Sequence, residues 1–123
     1  MSGDKIFIDT NIAIYLLNGD RSLAEILHGR KIYLSFITQL ELLGFKDLSA
    51  KHISTIKLML DNFVIIDINN QIKELVIDFR RKYTIKLPDC IVAATALYHD
   101  FPIITSDKDF KKLEELNLIL YEK

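Results

Sequence analysis

Two apolar runs in this chain end in an acid. Ile6-Phe7-Ile8 leads into Asp9, and Ile103-Ile104-Thr105-Ser106 leads into Asp107. Two more acids lie inside apolar stretches: Glu41 among Leu40, Leu42 and Leu43, and Asp89 between Pro88 and Cys90-Ile91-Val92-Ala93-Ala94. Acidic side chains are rarely buried unless they are paired or hold a metal. Each has an ordinary alternative. Asp9 can cap a helix, Asp89 can be a favourable charge in a first helical turn, and Glu41 can face water from a helix edge. Asp107 and Asp109 can be loop acids beside Lys108 and Lys111. Brought together, however, carboxylates need cations or protons: two of them ~4 Å apart repel by about 4 kcal/mol at an effective dielectric of about 20. The hard cations that suit them are Mg2+ and Mn2+, which take oxygen ligands and need no Cys or His.

Strand propensity and helical spacing say which elements carry these acids. Lys5–Asp9 reads as a first strand, buried on both faces. A helix over Ile12–Leu17 follows, capped by Asp9 or Thr10 and stopped near Asn18-Gly19. A short helix fits Ser22–His28, Ile32–Leu34 is a second strand, and a helical pattern runs from Ser35 to Gly44. His52–Asn62 is predicted helical and Phe63–Asp67 a third strand. Ile72, Leu75, Val76, Phe79 and Tyr83 trace the apolar face of the next helix. Pro88 opens a helix over Asp89–His99. Pro102–Thr105 is a fourth strand, Asp109–Leu116 a short helix and Leu118–Tyr121 a fifth strand. Strands alternating with helices predict an α/β domain with a mainly parallel sheet. Ligands of such sheets bind at the carboxyl ends of the strands, at the topological switch point. If strands one and four are neighbours, Asp9 and Asp107 face each other there.

Composition bounds what this domain can be. With 123 residues the chain is expected to form one domain, 1–123. Half the residues are hydrophobic and 27% charged, which excludes a disordered chain. Sixteen Lys and Arg stand against seventeen Asp and Glu, a net charge of −1, which excludes a polybasic nucleic-acid binder. A nuclease is not excluded, because metal-binding acids hide basic residues in the sum. The single cysteine, Cys90, rules out an internal disulfide and reads as a packed core residue; with three scattered histidines, no Cys/His zinc site is expected. The start, Met-Ser-Gly-Asp-Lys, has no signal-like apolar region, and the longest apolar stretch, Ile91–Tyr98 with Thr95 inside it, is far short of a membrane span. A cytoplasmic protein with no membrane partner is expected.

Four segments in order make the chain resemble a known family. Asp9-Thr10-Asn11 after the first strand is similar to the opening motif of the PIN-domain ribonucleases. Ser35-Phe36-Ile37-Thr38-Gln39-Leu40-Glu41-Leu42-Leu43-Gly44 is similar to their second motif, with its acid inside a helix. Pro88-Asp89-Cys90-Ile91-Val92-Ala93-Ala94-Thr95-Ala96 resembles the third and Ile103-Ile104-Thr105-Ser106-Asp107-Lys108-Asp109-Phe110 the fourth. Each motif alone is weak; four in order from Lys5 to Phe110 are specific. The compact length is similar to that of VapC-type toxins, the nuclease halves of toxin–antitoxin pairs. The resemblance implies a five-stranded parallel sheet in order 3-2-1-4-5 between helices. It implies that Asp9, Glu41, Asp89 and Asp107 hold Mg2+ or Mn2+ and carry catalysis. It also implies that Thr10, Asn11 and Thr105 support them and that Asp109 assists the fourth acid.

The implied reaction is metal-dependent endonucleolytic hydrolysis of RNA. Such ions lower the pKa of bound water and clamp the attacking and leaving oxygens, typically ~4 Å apart in two-metal sites. With the four acids set aside, the remaining charge is +3. Lys73, Arg80, Arg81, Lys82 and Lys86 precede Asp89, and Lys108, Lys111 and Lys112 flank the fourth motif. Arg80, Arg81 and Lys108 are the candidates for receiving RNA phosphates, against the plainer reading of a solvated helix face. Ile12–Leu17 is apolar all round, so it is either buried on two sides or partly covered by a protein. The resemblance offers two such proteins, a second copy forming a homodimer and an antitoxin.

Two alternatives remain at this point, and a third fails. A phospho-acceptor receiver domain would use Asp67 as acceptor and Thr105 as switch hydroxyl, but it wants an acid pair after strand one, where Thr10 and Asn11 stand, and leaves Glu41 and Asp89 unexplained. An Asp-x-Asp-x-Thr phosphatase fails because residue 11 is Asn. A PIN-fold nuclease of RNA processing, with no antitoxin, keeps the same site.

Overall fold

Alternation along the strands decides the layers of this fold. In the computed structural model, which describes residues 4–123, the first strand β1 spans Lys5–Ile8. Ile6 and Ile8 point to one side of the sheet and Phe7 to the other, and all three are fully buried. Leu34 and Tyr33 of β2 (Lys31–Ser35) divide in the same way, as do Ile104 and Ile103 of β4 (Ile103–Thr105). A strand with apolar side chains on both faces must be covered on both. One side is covered by α1 (Thr10–Leu17), α2 (Arg21–Leu27), α3 (Phe36–Leu43) and α4 (Ala50–Asp61), which contribute Ile12, Leu23, Leu42 and Ile56 to the core there. The other is covered by α5 (Asn70–Lys82) and α6 (Leu87–Tyr98), through Ile72, Val76, Phe79, Val92, Ala93 and Ala96.

With β3 (Val64–Ile66) and β5 (Leu118–Leu120) the sheet is five-stranded and parallel, in the order β3-β2-β1-β4-β5. This is the α/β architecture that the alternation of elements predicts and the strand order that the family resemblance implies. β1 sits in the middle, with Phe7 opposite Tyr33 of β2 and Ile103 of β4. The chain order reverses between β1 and β4, so the switch point lies where Asp9 and Asp107 emerge.

Local chemistry starts the helices at that end. Asp9 caps α1, its Oδ1 accepting from the Ile12 amide at 3.0 Å, and Ser35 caps α3 through the Ile37 amide at 3.1 Å. Pro88 occupies the first turn of α6, where its missing N–H costs no helical bond. The short helix predicted over Asp109–Leu116 is instead a 3-10 turn, Lys108–Lys112, followed by a non-helical stretch. Phe110 and Leu113 are buried there while Lys111, Lys112, Glu114 and Glu115 are exposed. A spacing of three suits the eclipsed side chains of a 3-10 turn and gives an α-helix no second row to pack. The Ile12–Leu17 helix divides: Ile12 and Ala13 are buried, whereas Ile14 through Leu17 are only partly so.

Candidate active site

Asp9, Thr10, Asn11, Glu41, Asp89 and Asp107 line one cleft of about 330 Å3 at the carboxyl end of the sheet. Ile14, Phe45 and Val92 complete its wall. Each acid arrives on a different element: Asp9 between β1 and α1, Glu41 on α3, Asp89 in the first turn of α6, and Asp107 after β4. Four acids far apart in the chain are thus neighbours in space.

Asp9 is the anchored member. It is 5% exposed, and both carboxylate oxygens are engaged, Oδ1 by the Ile12 amide and Oδ2 by the Thr105 hydroxyl. Thr105 is fully buried, and its Oγ1 also accepts the Asp107 amide at 3.0 Å, tying two of the acids to one side chain. Glu41 is held differently. The Thr10 hydroxyl donates to Glu41 Oε1 at 2.6 Å. Thr10 has one proton and gives it to Glu41, so the buried Thr38 hydroxyl, 3.0 Å away, is the donor to Thr10. Thr38 did not stand out in the sequence, although it lies three residues before Glu41 and so on the same helical face.

Charge crowding marks the cleft. Burial holds the Asp9 carboxyl above the usual carboxylate range, against the pull of Thr105 and the Ile12 amide, and Asp107 and Glu41 push the same way. Asp89 is pushed up to about 6, first by burial, then by the charges of Asp107, Asp9 and Glu41, with Lys86 opposing. Partial desolvation and like-charge neighbours are the conditions under which a carboxylate gains most from a cation.

The donor set is oxygen throughout, which suits a hard divalent ion such as Mg2+ or Mn2+. Among the described residues no three His, Cys, Asp or Glu side chains already stand at metal-holding distance. Asp9 is fixed and Glu41 is held by Thr10 at an exposed position, whereas the Asp89 side chain forms no hydrogen bond among the described residues and can turn toward an ion.

The other sequence candidates fall outside the cleft. Asp109 donates its amide to Asp107 Oδ1 at 2.9 Å, while its side chain pairs with Lys112 at 3.6 Å. Arg80 lines an adjacent groove with Asp109, and Arg81 and Lys108 are exposed and line neither hollow. On the opposite flank an apolar groove of about 330 Å3 shares Ile14 and Phe45 with the cleft and continues over Leu17, Leu42, Leu48 and Ile56.

A model of the PIN domain matches residues 6–116. The chain belongs to the PIN-domain family. Among solved structures, a toxin–antitoxin complex from Klebsiella pneumoniae contains a chain 32% identical, covering 96% of this chain and 99% of that one, with a TM-score of 0.82. VapBC2 from Rickettsia felis, bound to a DNA fragment from its promoter, matches at 22% identity over 96% of this chain and 99% of that one, TM-score 0.78. VapBC-1 from nontypeable Haemophilus influenzae matches at 24% over 94% and 97%, TM-score 0.78. The last two likenesses are of fold. A comparison with curated proteins returned no match. In the PIN fold the receiver alternative fails, because β2 and β1 lie between Asp67 at the end of β3 and Thr105 on β4, a separation of roughly 14 Å. No helix among the described residues is long and apolar enough to cross a membrane.

Proposed function

We propose that this PIN domain is the toxin nuclease of a toxin–antitoxin pair, a metal-dependent endoribonuclease that hydrolyses RNA phosphodiester bonds. The observation that carries the reading is the meeting of Asp9, Glu41, Asp89 and Asp107 in one cleft at the switch point of the sheet. These four residues would hold Mg2+ or Mn2+, which when bound activates water and neutralises charge on the phosphoryl oxygens. The chain's own part is positional. Thr105 fixes Asp9 and the Asp107 backbone, Thr10 and Thr38 aim Glu41, and Asn11 offers an amide at the cleft mouth. Asp89 gives up its proton when a cation enters, so affinity for the ion should rise with pH up to about 6 and then level off.

The partner half of this reading draws on the toxin–antitoxin assembly of the Klebsiella pneumoniae relative. The apolar groove over Ile14, Leu17, Phe45 and Leu48 is the surface offered to an antitoxin segment, whose basic residue would compete with metals for the acids. A homodimer is the second use of the partly covered α1. Light scattering and inhibition by the product of an adjacent small gene test these two, and a strict monomer that tolerates charged residues at Ile14 and Leu17 overturns both.

The activity itself is tested with the purified chain. It should cleave single-stranded or loop RNA with Mg2+ or Mn2+, and EDTA should stop cleavage while the circular dichroism spectrum stays unchanged. Cleavage that survives exhaustive chelation overturns the metal-dependent mechanism.

A further inference from the structure

We propose that the groove beside the acid cleft, walled by Arg80, Lys86 and Lys112, is a phosphate-binding subsite that holds the RNA backbone next to the cleaved bond. The inference rests on the nuclease reading and adds to it the residues that position the strand. Three elements build the groove, a hollow of about 540 Å3. Arg80 comes from the last turn of α5, Lys86 from the loop before α6, and Lys112 from the 3-10 turn. Arg80 and Lys86 are six residues apart, and folding brings Lys112, 26 residues beyond Lys86, to the same concavity.

Two of the groove's residues reach residues of the cleft. Lys86 precedes Asp89 by three residues and lies near enough for its charge to act on that carboxyl. On the other side Asp109 faces the groove while its amide bonds the carboxylate of Asp107 in the cleft. A polymer with a charge at every repeat can place one phosphate among the acids and its neighbour in the groove.

Two of the three cations are available. Lys112 is occupied, pairing with Asp109 at 3.6 Å and donating to the Thr84 carbonyl at 3.1 Å, which holds it on the groove wall. Arg80 and Lys86 are exposed and enter no ion pair among the described residues. An arginine fork and an ammonium suit phosphate oxygens. An acidic protein would need apolar anchors as well, and here only Leu87 is exposed to supply one. RNA is therefore the occupant.

The test is binding of a labelled, single-stranded RNA of mixed sequence to the full chain in EDTA, followed by fluorescence anisotropy over a salt series, alongside cleavage kinetics with Mg2+. Arg80→Ala and Lys86→Ala should each weaken binding by about tenfold and flatten the salt dependence of log K by about 0.7 per lost phosphate contact. In cleavage they should raise KM and leave kcat nearly unchanged, while Arg80→Lys recovers part of the loss. Lys57→Ala, on the exposed side of α4, serves as the control for general charge and should change neither. Wild-type affinity and salt slope in the Arg80→Ala/Lys86→Ala double variant, with RNA still cleaved by the wild type, overturn the subsite and spare the nuclease. A wild type that neither binds nor cleaves RNA overturns both. A double variant that keeps RNA but loses an inhibitory protein partner overturns the subsite in favour of protein docking.

Discussion

Asp89 sits where function and stability oppose one another. Its raised pKa, about 6 against an ordinary 3.8, means the metal-free folded state holds a proton that the unfolded chain has lost. In that window the folded state binds more protons, so stability falls as pH rises. The contribution is intact below about 3.8 and gone above about 6. Asp89→Asn should therefore raise the melting temperature of the metal-free protein at about pH 7 and leave it unchanged near pH 4. The gain should be about 1 kcal/mol once solvent screening of a partly exposed group is discounted. Cleavage should be lost in the same variant. A fall in melting temperature at about pH 7 would mean instead that Asp89 acts as a favourable first-turn charge on α6. Thr105 behaves oppositely, because its hydroxyl serves two acids at once. Thr105→Val leaves the buried Asp9 oxygen and the Asp107 amide without that partner, and should cost about 1–3 kcal/mol in chemical denaturation while also lowering activity. A fully stable Thr105→Val would show that water or rearrangement replaces the hydroxyl.

The elements that present the acids are themselves held by side chains with little room to spare. On α6, Ala93, Ala94 and Ala96 are wholly buried. Ala93→Leu should overpack this layer, costing about 1–3 kcal/mol in a thermal melt, and should lower cleavage with it by shifting Asp89 and Val92. A variant that melts early but cleaves at the wild-type rate would show that the layer adjusts without moving the cleft. The elements were also where the sequence was most legible. Strands ending in Asp9 and Asp107, the proline before Asp89 and the apolar face of α5 are local signals, each expressed within a few residues. The 3-10 turn was not, because one buried row at a spacing of three fits the start of an α-helix equally well. Nor could the sequence show that Lys112 lines one groove with Arg80 and Lys86, or that Phe45 borders the acids. Those placements depend on how α5, α6 and the final loop pack, and no local pattern encodes them. Thr38 lay between these cases, readable from its spacing to Glu41 but ordinary by residue type.

At the scale of the whole molecule, β1 is the hub, flanked by β2 on one side and β4 on the other. A chain cut after Phe101 keeps all six α-helices but loses β4, the 3-10 turn and β5, leaving one side of β1 unpaired. Such a fragment should lack a cooperative melting transition by circular dichroism, and its apolar edge should promote aggregation. A sharp, native-like transition would show that the N-terminal part folds alone.

That connectivity also sets a clock. The hydrogen bond that fixes Asp9 comes from Thr105, 96 residues further along the chain, and Asp107 arrives later still. A chain made from its N-terminal side produces Asp9 long before Glu41, Asp89 and Asp107, and the Thr105 hydroxyl that fixes it follows only with β4. No product that stops before Asp107 contains all four acids of the cleft. A polypeptide that stops short of β4 therefore holds Asp9 without its anchor, and the four acids come together only when the β4 segment closes against β1.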